Sequence, residues 1–197
     1  MSDQFQHVMV LASIIIGLGI TNALLGVSAA IDSVSAENRT IRFSWASAFW
    51  LAGVFLWMVL FWWWEFRLLT ILKNWSMGNY LLVIFYAVLL FLLVALLVPR
   101  KWDEVDDLNV YFLSKRHWFY PLLLVTNGVD VIDSYMKGGW TYIDAAGLVS
   151  WSNWIAYIPA CIVGFRSKNV RTHTIMAIIF FVWTVVQGFD VFPLLGL

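Results

Sequence analysis

Long apolar runs separated by short polar segments set the pattern of this 197-residue chain. Each run has about 20 residues or more, which is the length an α-helix needs to cross the hydrocarbon core of a bilayer. The predicted spans are 8–31, 43–66, 80–98, 117–136, 140–165 and 172–197. The pattern therefore predicts an all-α, polytopic membrane protein, a single domain built as a bundle of six transmembrane helices.

The composition narrows the class of protein further. Hydrophobic residues make up 62% of the chain and charged residues only 12%, whereas about a quarter of a soluble domain is charged. A formal net charge of zero leaves no surplus of basic residues that would suggest a nucleic-acid partner. The single cysteine, Cys161, excludes an internal disulfide framework and a Cys-based zinc site. Because the sequence contains no recognisable phosphate loop, metalloprotease motif or Ser/His/Asp set, no enzymatic activity is assigned.

Two apolar spans differ in how we expect them to pack. Gly19, Ala23 and Gly26 of the first span form a stripe of small residues that lets another helix approach closely. This stripe serves either a subunit interface or a contact within the chain. Span three is nearly pure Leu, Val and Phe, with little else besides Tyr80 and Tyr86. We therefore expect span three to be the most lipid-exposed helix.

Polar side chains concentrate in spans four and six. In span four they fall within one helical arc of about 120°, formed by Thr126, Asn127, Asp130, Asp133 and Ser134. Span six has a similar arc, formed by Thr184, Gln187 and Asp190. A polar arc of that width faces other helices or water, because lipid does not tolerate it.

The positive charges predict the orientation of the chain. Nine Lys and Arg residues follow spans one, three and five: Arg39, Arg42, Arg100, Lys101, Lys115, Arg116, Arg166, Lys168 and Arg171. The opposite side holds only Arg67, Lys73 and Lys137. By the positive-inside rule the nine are cytoplasmic and both termini face outward. Asp130 and Asp190 then both lie about 10 Å inside the outer ends of their helices, in a layer that also includes Glu65 and Asp144.

This acidic layer has two interpretations. In the first, a channel or transporter binds or conducts a small cation or protons through the layer. Asp130 and Asp190 are then the principal carboxylates, and Asn127, Asp133 and Gln187 shape the site. In the second, the chain is a non-transporting sensor, assembly factor or complex subunit, and the acids are protonated helix–helix contacts. Protonation is expected for Asp130 and Asp190, because no intramembrane Lys or Arg is available as a partner; Lys137 is assigned to a tight turn with two glycines.

Partners and cofactors follow from the same considerations. The bilayer is the principal partner, and a homo-oligomer is expected because one six-helix subunit is small for a complete transporter. No metal site is predicted, since His7 is the sole nitrogen ligand near the acidic layer. His117 and His173 begin spans four and six, where they allow haem ligation from both sides as an alternative to headgroup contacts. No cofactor is otherwise predicted.

Several short motifs resemble those of a known family. They are 13–21 with Leu24-Leu25-Gly26 in the first span, Tyr111-Phe112, the stretch 115–119 and Asp130-Val131-Ile132-Asp133. Together they resemble an uncharacterised family of small six-span bacterial inner-membrane proteins with no assigned activity. The resemblance implies a six-span fold and a location in the bacterial inner membrane, and it implies nothing about activity.

Overall fold

The computed structural model describes residues 3–36, 40–71, 75–145 and 147–194. Its helices are α1 (Asp3–Ala36), α2 (Trp45–Ile71), α3 (Met77–Leu97), α4 (Leu108–Met136), α5 (Gly139–Ala145), α6 (Gly147–Arg166) and α7 (Val170–Leu194). One 3-10 turn, Trp102–Glu104, lies between α3 and α4. The all-α class is confirmed for the described residues.

Within the described ranges, four helices contain a segment long and apolar enough to cross a membrane: Phe5–Ser35, Trp45–Phe66, Met77–Leu97 and Val170–Gly188. Helix α4 has 29 residues, but charged side chains interrupt its apolar surface. In α6 the apolar stretch is shorter, Ile155–Arg166. These features are consistent with a membrane protein, whereas the count of six spans stays a prediction.

Helix α3 packs against other helices along much of its length. It contacts α1, α2 and α4, while α2 lies along α7. Its buried side chains are Val83, Tyr86, Ala87, Leu89, Leu90, Leu93, Val94 and Leu97. The expectation that this segment is the most lipid-exposed is therefore wrong. A helix that is apolar all round presents no polar face from which its neighbours can be inferred.

The small-residue stripe of α1 makes its contacts within the chain. A Cβ added at Gly19 would lie 2.8 Å from the Met58 Sδ of α2, and one at Gly26 would lie 2.9 Å from Cγ2 of Val98. Ala23 is also buried. The small residues at these positions let α1 lie close to α2 and to the C-terminal end of α3, as small residues do at helix–helix contacts.

Helix α4 begins at Leu108, nine residues before the predicted start of span four at His117, and Asp107 caps it. The Oδ1 of Asp107 accepts hydrogen bonds from the backbone N–H groups of Asn109 at 2.7 Å and Val110 at 3.4 Å. Arg42 pairs with the same segment through its backbone and through a 3.5 Å contact between its Nη1 and the Asp107 Oδ2. The cap therefore fixes the start of α4 and joins it to the segment before α2.

Replacing Asp107 by Ala is expected to lower the free energy of unfolding by about 1 kcal/mol, because the first turn of α4 loses its side-chain acceptor. Asp107→Asn keeps an acceptor and should cost only a few tenths of that. Equilibrium unfolding in mixed micelles, followed by tryptophan fluorescence, measures both. Equal losses in the two variants would contradict a capping role.

The stabilisation that the Asp107 cap contributes should depend on pH. Partial burial acts to raise the pKa of Asp107, but hydrogen bonds from Asn109 and Val110, aided by Arg42, outweigh it and hold the pKa below the usual 3.8. The stabilisation is then present above the pKa of the unfolded chain and is lost as the pH falls through the lowered pKa of the folded state. The difference in stability between wild type and Asp107→Asn should change only in that acidic range. A constant difference between pH 7 and pH 3 would contradict this assignment.

Candidate functional site

One face of α4 carries a line of polar side chains toward the interior. Asn127, Asp130, Asp133 and Lys137 follow one another at intervals of three or four residues, so they share a face of the helix. The line extends about 15 Å along the helix axis. Asn127, Asp133 and Lys137 are buried and Asp130 is half-buried. Because α4 packs against α2 and α3, this face meets protein.

Lys137 joins two carboxylates from different helices. Its Nζ donates to Oε1 of Glu65 on α2 at 2.7 Å, and it also contacts Oδ2 of Asp133 on α4. The three side chains are almost completely buried, with exposed fractions of 1% for Glu65, 3% for Asp133 and 4% for Lys137. We call Glu65, Asp133 and Lys137 the charge cluster. Two acids therefore share one cation out of contact with solvent.

Local geometry explains why Lys137 reaches this position. It is the C-cap of α4, and its backbone N–H bonds to the carbonyl of Asp133, so the two side chains are one helical turn apart. The chain then reverses through Gly139, whose φ of +66° lies in the left-handed region that favours glycine. The expectation that no Lys or Arg inside the bundle is available as a partner is therefore wrong, because Lys137 pairs there with Glu65 and Asp133. Lys137 ends the helix and also enters the bundle.

A second chain of hydrogen bonds links three helices beside the charge cluster. The Nε1–H of Trp57 on α2 donates to the hydroxyl of Tyr86 on α3 at 2.9 Å. That hydroxyl donates to Oδ1 of Asp130 on α4 at 2.6 Å. Trp57 and Tyr86 are both buried. Asp130 is thus held as an acceptor at a fixed place in the interior.

Three buried polar atoms at the site have no hydrogen-bond partner among the described residues: Oε2 of Glu65, Oδ1 of Asp133 and Nδ2 of Asn127. Most buried polar atoms are hydrogen-bonded, so each such exception needs a physical reason. With both acids ionised, the charge cluster carries one negative charge in excess. One bound proton would remove that excess and would give one of the two carboxyl groups a donor.

The other residues of the predicted acidic layer lie elsewhere or outside the description. Gln187 is half-buried on α7, next to Gly188, which lies against Leu60 of α2. The side chain of Asp190 lies outside the described part of the chain. Asp144 is exposed and accepts a hydrogen bond from Trp151 at 3.1 Å. The convergence of Asp130 with Asp190 stays a prediction.

Sequence reasoning placed Glu65 in the layer but did not assign it a role in the site. The signals that pointed to it were present: an acid within the aromatic run 62–66, and the i, i+4 spacing of Asp133 and Lys137. The contact between α2 and α4 brings Glu65 to Lys137, although these two residues are 72 positions apart in the chain. Local spacing along the chain does not predict that contact, because it depends on how the helices pack.

The histidines considered for haem are both engaged in the structure. Nδ1 of the buried His173 lies 2.7 Å from the Tyr120 hydroxyl, and its Nε2 lies 3.2 Å from the Ser167 carbonyl oxygen. The exposed His117 packs edge-on against Phe165. Iron ligation by His173 would require one of its bonds to break. Within the described ranges, His, Cys, Asp and Glu form no group of three able to hold a metal ion.

Comparison with protein-family models, with curated proteins and with solved structures finds no match to this chain. The family resemblance carried by the short motifs therefore stays a prediction. The features of this chain that bear on function are the charge cluster, the hydrogen bonds of Asp130 and the long apolar helices.

Proposed function

We propose that the chain is an integral membrane protein that binds and conducts protons through the charge cluster and the polar face of α4. The observation that carries the proposal is the sharing of one Lys137 ammonium between Glu65 and Asp133. An unneutralised charge is costly in a buried site, and ionisable residues within a membrane are typical of ion and proton pathways. Binding and release of one proton changes the cluster between neutral and singly negative.

A proton fits this site better than a metal cation. Hard cations such as Ca²⁺ take six to eight oxygen ligands, whereas Glu65 and Asp133 each already give one oxygen to Lys137. The remaining oxygens, Oε2 of Glu65 and Oδ1 of Asp133, are too few for such a shell. A proton needs only one of them.

The polar face of α4 supplies the next steps of the path. Asp130 lies one turn from Asp133, about 4.5 Å along the axis, and Asn127 lies about the same distance further in. The Tyr86 hydroxyl fixes Asp130 by its 2.6 Å hydrogen bond. A proton released by the charge cluster therefore has an acceptor on the same helix face.

The proposed arrangement in the membrane keeps the six spans. Helix α4 and the α5–α6 segment complete the set, and the basic segments face the cytoplasm of a bacterial cell, in its inner membrane. Both termini face outward, so the charge cluster lies toward the outer side. The functional unit we propose is a homo-oligomer, and Asp190 and Gln187 of α7 belong to the same outer layer.

One observation favours a second candidate function. Lys137 contacts both acids and is itself buried, so the charge cluster also suits a purely structural joint between α2 and α4. The chain would then be a non-transporting membrane sensor, assembly factor or complex subunit. Proton flux separates the two candidates.

Glu65→Gln is the most informative variant for that test. It keeps the shape of the side chain and leaves Lys137 paired with Asp133 in a neutral pair, so we expect the variant to fold. In liposomes carrying a pH-sensitive dye and an imposed gradient, wild type should conduct protons, and Glu65→Gln and Asp130→Asn should fall to the level of protein-free vesicles. Asp144→Asn is the matched control, because it removes an exposed acid of the same predicted layer.

Two outcomes would overturn the proposal. Wild-type vesicles that match protein-free vesicles at every pH would exclude conduction and favour the structural joint. Flux that persists in Glu65→Gln, with Asp144→Asn equally active, would remove the charge cluster from the path.

A further inference from the structure

A groove of about 710 Å³ opens between the C-terminal end of α3 and the first half of α4. It lies on the side of the molecule that the positive charges assign to the cytoplasm, away from the charge cluster. Its walls are of two kinds. The apolar wall is formed mainly by Leu92, Leu96 and Leu122, and the basic rim is formed by Arg100, Lys101 and Lys115.

The rim carries an excess of positive charge. Glu104 is the one acid on the groove lining, and it accepts a 2.6 Å hydrogen bond from Lys101. Arg100 and Lys115 therefore account for a net charge of +2 at the rim. The Lys115 ammonium lies 5.7 Å from the centroid of the Tyr111 ring, a cation–π contact that keeps it on the groove. Arg100 is exposed.

An exposed indole completes the rim. Trp118 is 72% exposed although it lines the groove. Tryptophan favours the depth of the lipid headgroups, where its ring has one apolar and one wet side. The rim thus combines two cations with an interfacial aromatic residue directly above an apolar wall.

We infer that this groove binds an anionic phospholipid. Arg100 and Lys115 hold the phosphate, and an acyl chain lies along the leucines between α3 and α4. Basic pockets between transmembrane helices on the cytoplasmic side are suited to anionic headgroups. A soluble phosphate would use the rim alone and would leave the apolar wall uncovered. The inference is independent of proton conduction, because no residue of the groove belongs to the charge cluster or to the hydrogen bonds that link Trp57, Tyr86 and Asp130.

Lipid binding to the full chain in mild detergent tests the inference, with native mass spectrometry counting the bound molecules during a titration. The probes are phosphatidylglycerol, phosphatidylcholine with the same acyl chains, and soluble glycerol phosphate. Wild type should prefer phosphatidylglycerol. Because each cation near an anionic lipid contributes about fivefold in affinity, Arg100→Gln with Lys115→Gln should weaken that binding roughly 25-fold.

Two double variants serve as controls. Lys168→Gln with Arg171→Gln removes two exposed cations from the same predicted side, away from the groove, and should leave the affinity within about twofold. Arg100→Lys with Lys115→Arg keeps both charges and should bind as wild type does. It also shows whether any loss in the Gln variant reflects charge or misfolding.

Three results would overturn the inference. Equal affinity for the two lipids would remove the anionic preference. Equal weakening by the two Gln variants would make the effect one of net charge. Binding of glycerol phosphate as tight as that of phosphatidylglycerol would make the rim a site for soluble anions.

Discussion

Replacing Lys137 by Met should lower the free energy of unfolding by about 3–5 kcal/mol, because it leaves two buried carboxylates without their cation. Glu65 and Asp133 are 1% and 3% exposed, so water cannot take the place of the ammonium. Unfolding in mixed micelles, followed by tryptophan fluorescence, measures the loss. This is the largest effect on stability that we expect from a single substitution in the described residues.

Lys101→Met is the matched control for this variant. Lys101 makes a contact of nearly the same length with Glu104, 2.6 Å, but the two side chains are 67% and 65% exposed. An ion pair in water contributes little, so the expected change is below about 1 kcal/mol. A similar loss in both variants would contradict the role that we assign to burial.

A triple variant separates unpaired charge from lost packing. When Glu65→Gln and Asp133→Asn are added to Lys137→Met, the cluster is neutral and keeps nearly the same volume. Replacement of a whole buried ion group is often close to neutral for stability. We therefore expect the triple variant to recover most of the loss. A triple variant no more stable than Lys137→Met alone would attribute the loss to packing.

The second large effect is expected at Gly164 of α6, which lies against the ring of Tyr120. A Cβ at this position would lie 2.6 Å from Cε2 of that ring and still closer to its Cζ and Cε1. Tyr120 is fully buried and its hydroxyl lies 2.7 Å from Nδ1 of His173, so the ring cannot move aside without loss of that bond. Gly164→Ala should therefore destabilise the protein by about 1–3 kcal/mol in the same micelle assay, the usual cost of one extra carbon in a packed interior.

Gly17→Ala provides the comparison on α1. Nothing lies within 4 Å of a Cβ added at Gly17, and Ala is favoured over Gly inside a helix by up to about 1 kcal/mol. The two substitutions are chemically identical, so opposite signs are expected in the same assay. Two changes of the same sign and size would show that helix propensity, and not the contact with Tyr120, decides the effect at Gly164.

The sequence contained enough information for the class of fold and for the polar face of α4. Apolar runs of about 20 residues predict helices directly, and the spacing of Asn127, Asp130 and Asp133 places them on one face whatever surrounds it. The sequence does not show which helices lie next to one another. Helix α3 was misjudged because a uniformly apolar segment looks the same whether lipid or protein covers it.

The partners of the polar residues were equally inaccessible from the sequence. Tyr86 and Asp130 are separated by 44 residues, and Lys137 and Glu65 by 72. Which of several acids meets a given donor depends on helix order and on rotation about the helix axes, and neither is encoded in local spacing. Lys137 was assigned to the turn because it precedes two glycines. That spacing predicts the path of the backbone, but it does not show that the long side chain reaches back along α4.

The Tyr86 hydroxyl has a consequence for the rotational freedom of α3. A helix whose surface is apolar on every side has no polar face that fixes its rotation about its own axis. Each step of one residue turns the helix by about 100° and would carry this hydroxyl away from both Trp57 and Asp130. The buried hydroxyl thus adds a directional constraint to the rotation of a helix whose other contacts are mainly apolar.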